Sequence, residues 1–274
     1  MKKRLSTVIL ILVFLTGLSL LLYPTVSDYW NSFHQSRAIA SYDSEVAALD
    51  NTDYETLWTA AQDYNRRLAR QENPLVQSEE DLAEYEDLLN LDGTGAMGYI
   101  EIPELKVSLP IYHGVDEGVL QVAVGHIPGT SLPTGGEGTH CVLSGHRGLP
   151  SAKLFTNLDQ LCEGDTFLLR VLDETLTYEV DQILIVEPHE VEPLAIDPGQ
   201  DYCTLVTCTP YGINTHRLLV RGHRIENQAG ASSARVTADA MQIEPAVVAP
   251  MVAAPILLLL MLWILLRKPR KEKR

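Results

Sequence analysis

TLVTCTPYGINTHR, residues 204–217, contains a strand, a turn and the opening of a second strand. TLVTC is short, apolar and β-branched, and TPYGIN supplies Pro210, Gly212 and Asn214, residue types that turns select. The return strand continues through HRLLVRGHRI. Cys208 ends the first strand and Arg217 opens the second, so a hairpin-like return brings the guanidinium back beside the thiol. A cysteine so placed is a buried apolar residue, half of a disulfide, a metal ligand or a nucleophile.

Outward from this stretch the same texture repeats. GYIEIP, LKVSLPIY, GTHCVLSGH, DTFLLRVL, TLTYEVDQILIVEP and DYCTLVTC are short, rich in β-branched and aromatic residues, and separated by Gly, Pro, Asp and Asn. With HRLLVRGHRI they make seven candidate strands with few helices between them, which predicts a mostly-β barrel or sandwich. Ahead of them the periodicity is helical. Tyr54, Leu57, Trp58, Ala61, Tyr64 and Leu68 recur at spacings of three and four, predicting an amphipathic helix over 53–71. Ser78, with Asp81 three positions on, opens a second helix whose apolar face is Leu82, Tyr85, Leu88 and Leu89, with Gly93 as its end. QENPLVQ lies between the two, broken by Pro74.

The two ends predict a membrane protein. Residues 5–23 carry no charge and follow Lys2, Lys3 and Arg4. Such a run is long enough for a tilted helix to cross the roughly 30 Å hydrocarbon core. No small-x-small cleavage site follows it, which favours an uncleaved anchor over a signal peptide. Residues 246–266 form a second uncharged run, followed by the basic tail RKPRKEKR. Both basic flanks lie outside the two runs, so both termini are expected in the cytoplasm and the middle outside the cell. The expected layout is a basic end at 1–4, a span at 5–23, a helical segment over 24–96, a β domain over 97–226, a linker at 227–245, a span at 246–266 and a basic tail at 267–274. The ends hold nine of the 21 Lys and Arg and one of the 36 Asp and Glu, leaving 12 against 35, a net charge of −23, for the middle. Bulk charge therefore excludes nucleic acid as a partner of that domain.

The four cysteines are Cys141, Cys162, Cys203 and Cys208. None pairs at C-x-x-C spacing and no His/Cys cluster has zinc-finger spacing, so no metal is expected. A catalytic thiol needs a base or cation that favours thiolate and a donor aimed at the developing oxyanion. Arg217, permanently charged and carrying five donors, suits the second task. Of eight histidines, His146 stands out because GTHCVLSGHRG also ends an apolar run in glycine-flanked turn chemistry. A structural histidine is the competing reading of the same residue.

TLVTCTPYGINTHR, together with LSGHRGLPSAKLF upstream, resembles the sortase family. MGYIEIPELKVSLPIYHG, GHIPGTSLPTGG, ETLTYEVDQI and HRLLVRGHR extend the likeness to residues 45–226, and to the class C, pilus-assembling sortases in particular. The resemblance implies an eight-stranded sortase β-barrel behind an N-terminal helical and lid segment, a membrane helix at each end, and no cofactor. It implies Cys208 as nucleophile, His146 as the acid/base histidine, Arg217 as the arginine serving substrate and oxyanion, and Thr207 as a substrate-binding residue. The implied reaction is transpeptidation: cleavage of an LPxTG-like sorting signal between Thr and Gly, a Cys208 thioester, and transfer to an amine. The acceptor would be a pilin lysine or a peptidoglycan peptide. The implied parallel neighbouring of the two strands that end at His146 and Cys208 brings Cys141 near Cys203, as a disulfide or as two buried thiols. Cys162 reads as a filler, and His113, His126 and His140 as structural.

The sequence departs from the class C pattern at one place. Where those relatives carry an Asp-Pro-aromatic lid motif, this chain has Asn73, Pro74 and Leu75, without the carboxylate and the ring. The loop is a weakened lid, no lid, or a plain connection between two helices. Two further readings stand beside pilus polymerisation: a housekeeping sortase that attaches proteins to peptidoglycan, and a membrane-tethered scaffold with structural cysteines only.

Overall fold

The computed structural model describes residues 2–227. The expected linker, second span and basic tail lie outside the described residues. The first helix, α1, runs unbroken over Lys2–Ala48 and contains Pro24, so the expected division between a span and a later helical segment is absent. Proline removes one helix donor, and an apolar membrane-type helix tolerates that loss. Among the described residues α1 is the one helix long and apolar enough to cross a membrane.

α2 (Asn51–Leu68) begins where Asp50 caps it, accepting hydrogen bonds from Thr52 and Asp53. It buries Ala61, Tyr64 and Leu68, the stripe its periodicity marked out. α3 (Glu79–Asp87) opens with the capping box of Ser78 and Asp81. It stops at Leu88, short of Gly93. The chain turns there because Leu89 (φ 58°) is fully buried and the Leu88 carbonyl faces the His113 ring at 2.8 Å.

Eight strands close into a barrel: β1 (Ala96–Ile102), β2 (Val107–His113), β3 (Val124–His126), β4 (Thr139–Ser144), β5 (Thr166–Val171), β6 (Glu174–Val186), β7 (Asp201–Thr209) and β8 (His216–Ile225). Their order is β1-β2-β3-β4-β7-β8-β6-β5. Closure removes the edges that a sandwich would leave open. The strand missing from the sequence reading is β3, whose three residues are too few to show a period.

Alternation sorts the side chains of β4 and β7. Cys141, Leu143, Cys203 and Leu205 join the barrel core, while Val142 and Val206 form a second apolar cluster with Leu219 on the other face. Ile127, Leu184, Val186 and Leu194 pack on that outer cluster. The segment carrying Leu194 is held down by His140, whose ring meets the Ala195 carbonyl at 2.9 Å and Thr204 Oγ1 at 2.7 Å. β4 and β7 are parallel, with Cys141 opposite Cys203 and Ser144 opposite Val206, so both strands finish at one end of the barrel.

Candidate active site

That shared end collects the sequence-marked residues. β7 and β8 pair antiparallel, which puts Cys208 directly across from Arg217 and Thr209 across from His216. By alternation Cys208 lies on the outer face with Val206, and His216 lies on the face opposite Arg217. Cys208 is half-buried. The Arg217 guanidinium donates back to the His216 carbonyl at 3.1 Å, which folds it over the start of β8.

His146 follows β4, and the segment that carries it is tied to β7 twice. The Gly145 amide donates to the Val206 carbonyl at 3.0 Å, and Thr207 Oγ1 donates to the Gly145 carbonyl at 2.7 Å. Thr207, expected to bind substrate, is buried, and its hydroxyl is committed to this tie. Gly145 is required as glycine, because a Cβ there would stand 2.6 Å from the Phe155 ring. The Phe155 amide in turn donates to the His146 carbonyl at 3.1 Å. His146 Nε2 lies 4.0 Å from a carboxylate oxygen of Glu117, at the start of α4 (Glu117–Leu120).

Two further residues border the histidine segment and were not singled out in the sequence. Arg147 reaches from the histidine segment to Asp159 and to Thr209 Oγ1 (3.4 Å), and its guanidinium lies 5.9 Å from the Tyr211 ring centroid. Its position next to His146 was the available signal. Glu117 gave none, since nothing in its spacing links it to residue 146.

The other sequence-marked residues lie elsewhere. Pro74 and Leu75 pack on Gly129 (φ 81°), where a Cβ would stand 2.3 Å from the Pro74 carbonyl oxygen. Gly129 sits between Ile127, bonded to Val142, and Ser131, bonded to His140. That is about five residues, some 16 Å, back along β4 from His146. Cys141 and Cys203 are buried free thiols, and burial pushes the Cys203 thiol well up. Cys162, expected as a filler, is exposed, because it falls in the turn after Leu158–Gln160. His126 and His113 serve the joint between α3 and the barrel. Tyr85 Oη meets His126 Nδ1 at 3.0 Å, and His113 contacts the Gly95 and Leu88 carbonyls at 2.8 Å each.

Comparison with known proteins fits this arrangement to a family. A sortase-domain family model matches residues 100–225. The crystal structure of sortase C1 from Streptococcus agalactiae is 49% identical, with a TM-score of 0.68, covering 70% of this chain and 99% of that one. The chain belongs to the sortase family. Streptococcus pneumoniae sortase C is 45% identical with a TM-score of 0.63, covering 70% of this sortase and 98% of the neighbour. The structural neighbours are thus class C sortases, and this chain is a sortase-type transpeptidase. Sortase D of Bacillus subtilis is 30% identical over 133 residues, a match that spans 47% of this sortase and 64% of that relative.

Proposed function

We propose that this sortase is a membrane-anchored pilin polymerase in which Cys208 is the nucleophile, His146 the acid/base and Arg217 the oxyanion donor. The observation that carries the reading is the Cys208–Arg217 pairing at the end of the barrel to which the Gly145–His146 segment is tied. The Cys208 thiol passes its proton to His146 as its sulfur attacks the Thr–Gly carbonyl of an LPxTG-like sorting signal, and the oxyanion that develops faces the Arg217 guanidinium. As the carbonyl re-forms, the C–N bond breaks and His146 delivers a proton to the departing glycine amine. The acyl group stays on Cys208 as a thioester. An incoming amine attacks it, loses a proton to His146 and leaves with an amide bond, which restores the thiol. The thioester keeps the acyl group activated, so no external energy source is needed outside the cell.

Ile127, Leu184, Val186 and Leu194 are partly exposed and pack on the outer cluster that shares its strand face with Cys208, so they offer apolar surface for the Leu-Pro part of the signal. Thr207 acts in this reading by fixing Gly145. The loop at Asn73, Pro74 and Leu75 leaves Cys208 open, since it rests on Gly129 and lacks the acidic and aromatic lid groups. Polymerisation is favoured over peptidoglycan attachment by the likeness to pneumococcal sortase C, whose structure is described in terms of pilin substrate specificity. The test offers the enzyme a sorting peptide with either a lysine-bearing pilin segment or a peptidoglycan-type peptide amine and reads the products by mass. The reading expects the isopeptide to the pilin lysine to dominate. Exclusive use of the peptidoglycan-type amine would identify a housekeeping sortase.

A further inference from the structure

We infer that the barrel end bearing His146 and Cys208 rests on the membrane surface, with the β7–β8 tip, Tyr211 and Ile213, seated among lipid headgroups. The inference builds on the membrane-anchored reading and concerns the orientation of the site within it. α1 fixes that orientation, because one helix contains the apolar run and also grips the barrel along its length.

The grip runs in a definite direction. Asp28 accepts a hydrogen bond from the Lys153 amide (2.8 Å), Asn31 donates to the Ser151 carbonyl (2.8 Å), and Gln35 donates to the Val122 carbonyl (2.7 Å). Residues 151 and 153 follow His146, and Val122 precedes β3, which runs antiparallel to β4; all three belong to the end where β4 and β7 finish. Tyr42 bonds instead to the Met97 carbonyl (3.0 Å) and the Leu172 amide (2.8 Å), at the start of β1 and the end of β5. That is the opposite end, because β2 runs parallel to β3 and β1 runs antiparallel to β2 and to β5. Followed backwards, α1 therefore leaves the barrel past the His146 end and enters its apolar run.

Little height separates the two. Asp28 lies five residues beyond Tyr23, where the uncharged run ends, a rise of about 7.5 Å along a helix, within the headgroup layer. Just beyond Asp28, α1 presents exposed Trp30 and Phe33, the residue types that membrane interfaces hold. The β7–β8 tip stands beside the gripped segment, since a Cβ on Gly148 would be 2.9 Å from the Tyr211 ring. Tyr211 is 60% and Ile213 67% exposed, and Val122, next to the Gln35 contact, is also exposed. Scattered apolar residues are ordinary on a surface. Here they share one end, and that end continues directly into a membrane-type helix. A sorting signal on a membrane-held substrate would then meet Cys208 at the surface itself.

The test uses the full chain in phosphatidylglycerol/phosphatidylcholine vesicles, with Cys162→Ser and Cys208→Ala so that a fluorophore labels one introduced cysteine. Ile213→Cys reports on the proposed contact. Val76→Cys is the control, apolar and still more exposed than Ile213 but in the α2–α3 loop. Lipids spin-labelled near the headgroup should quench position 213 several-fold more than position 76. Equal quenching of the two in vesicle-bound protein overturns the inference and leaves anchoring intact. A chain that does not float with the vesicles overturns both. Tyr211→Cys replaces Ile213→Cys if that variant fails to fold.

Discussion

Arg217 and Cys208 face each other across the β7–β8 ladder, and the difference between arginine and lysine at that point can be measured. A lysine keeps the charge but loses the planar fork that reaches the His216 carbonyl and an oxyanion together. Arg217→Lys is therefore expected to lower kcat/KM for a sorting peptide on the order of 100-fold, with the thermal midpoint little changed. A variant within a factor of about two of wild type would remove Arg217 from the chemistry. Buried histidines make a second residue-scale prediction. Burial lowers the pKa of His140, against the opposing hydrogen bond to Ala195, and lowers that of His113 in the same way. The folded protein thus holds both neutral, whereas the unfolded chain takes up protons near pH 6.5. Stability should fall as the pH drops below about 6.5, and the loss should level off below the folded-state values. Urea midpoints at neutral and mildly acid pH measure the slope, and His140→Asn should flatten it. A midpoint that rises on acidification would contradict this account.

At the scale of elements, much was legible beforehand. The helix stripe from Ala61 to Leu68 and the Ser78–Asp81 capping box appeared as read, because both are local patterns. Seven of the eight strands showed their β-branched runs, whereas β3 owes its existence to neighbours distant in sequence. The passage of α1 through Pro24 was not legible, since proline normally signals a break. In the site, Cys208, His146 and Arg217 carried recognisable surroundings, while Glu117 is set near His146 by folding alone. The parallel β4–β7 register also has a chemical consequence. Cys141 and Cys203 are opposed and buried as free thiols, so an alkylating reagent should modify the native protein at Cys162 and Cys208. The remaining two thiols should react only after unfolding, without reductant. A mass two hydrogens lighter before reduction would instead mean a disulfide between β4 and β7. The α2–α3 loop supplies the other element-scale prediction. Deleting residues 72–77, of which Pro74 and Leu75 pack on Gly129, should change peptide cleavage by no more than about twofold. A tenfold or larger rise would show that the loop gates the site.

Across the whole molecule, one long helix and one closed barrel divide the work. The barrel fixes the positions of a thiol, an imidazole and a guanidinium drawn from β7, the segment after β4, and β8. α1 grips that barrel from Asp28 to Tyr42 and so sets how the site is presented. The acidic middle of the chain repels anionic polymers. In the proposed reaction Cys208 carries the acyl group between cleavage and joining. The most direct measurement is the intact mass of the full-length enzyme, mixed with an LPxTG-type peptide and then with a lysine-bearing acceptor. The wild type should gain the mass of the acyl fragment ending at threonine, mapped to Cys208, and lose it when the acceptor is added. Cys208→Ala, folded by circular dichroism, should show neither event. An acyl adduct on Cys162, or joined product from Cys208→Ala, would contradict the account.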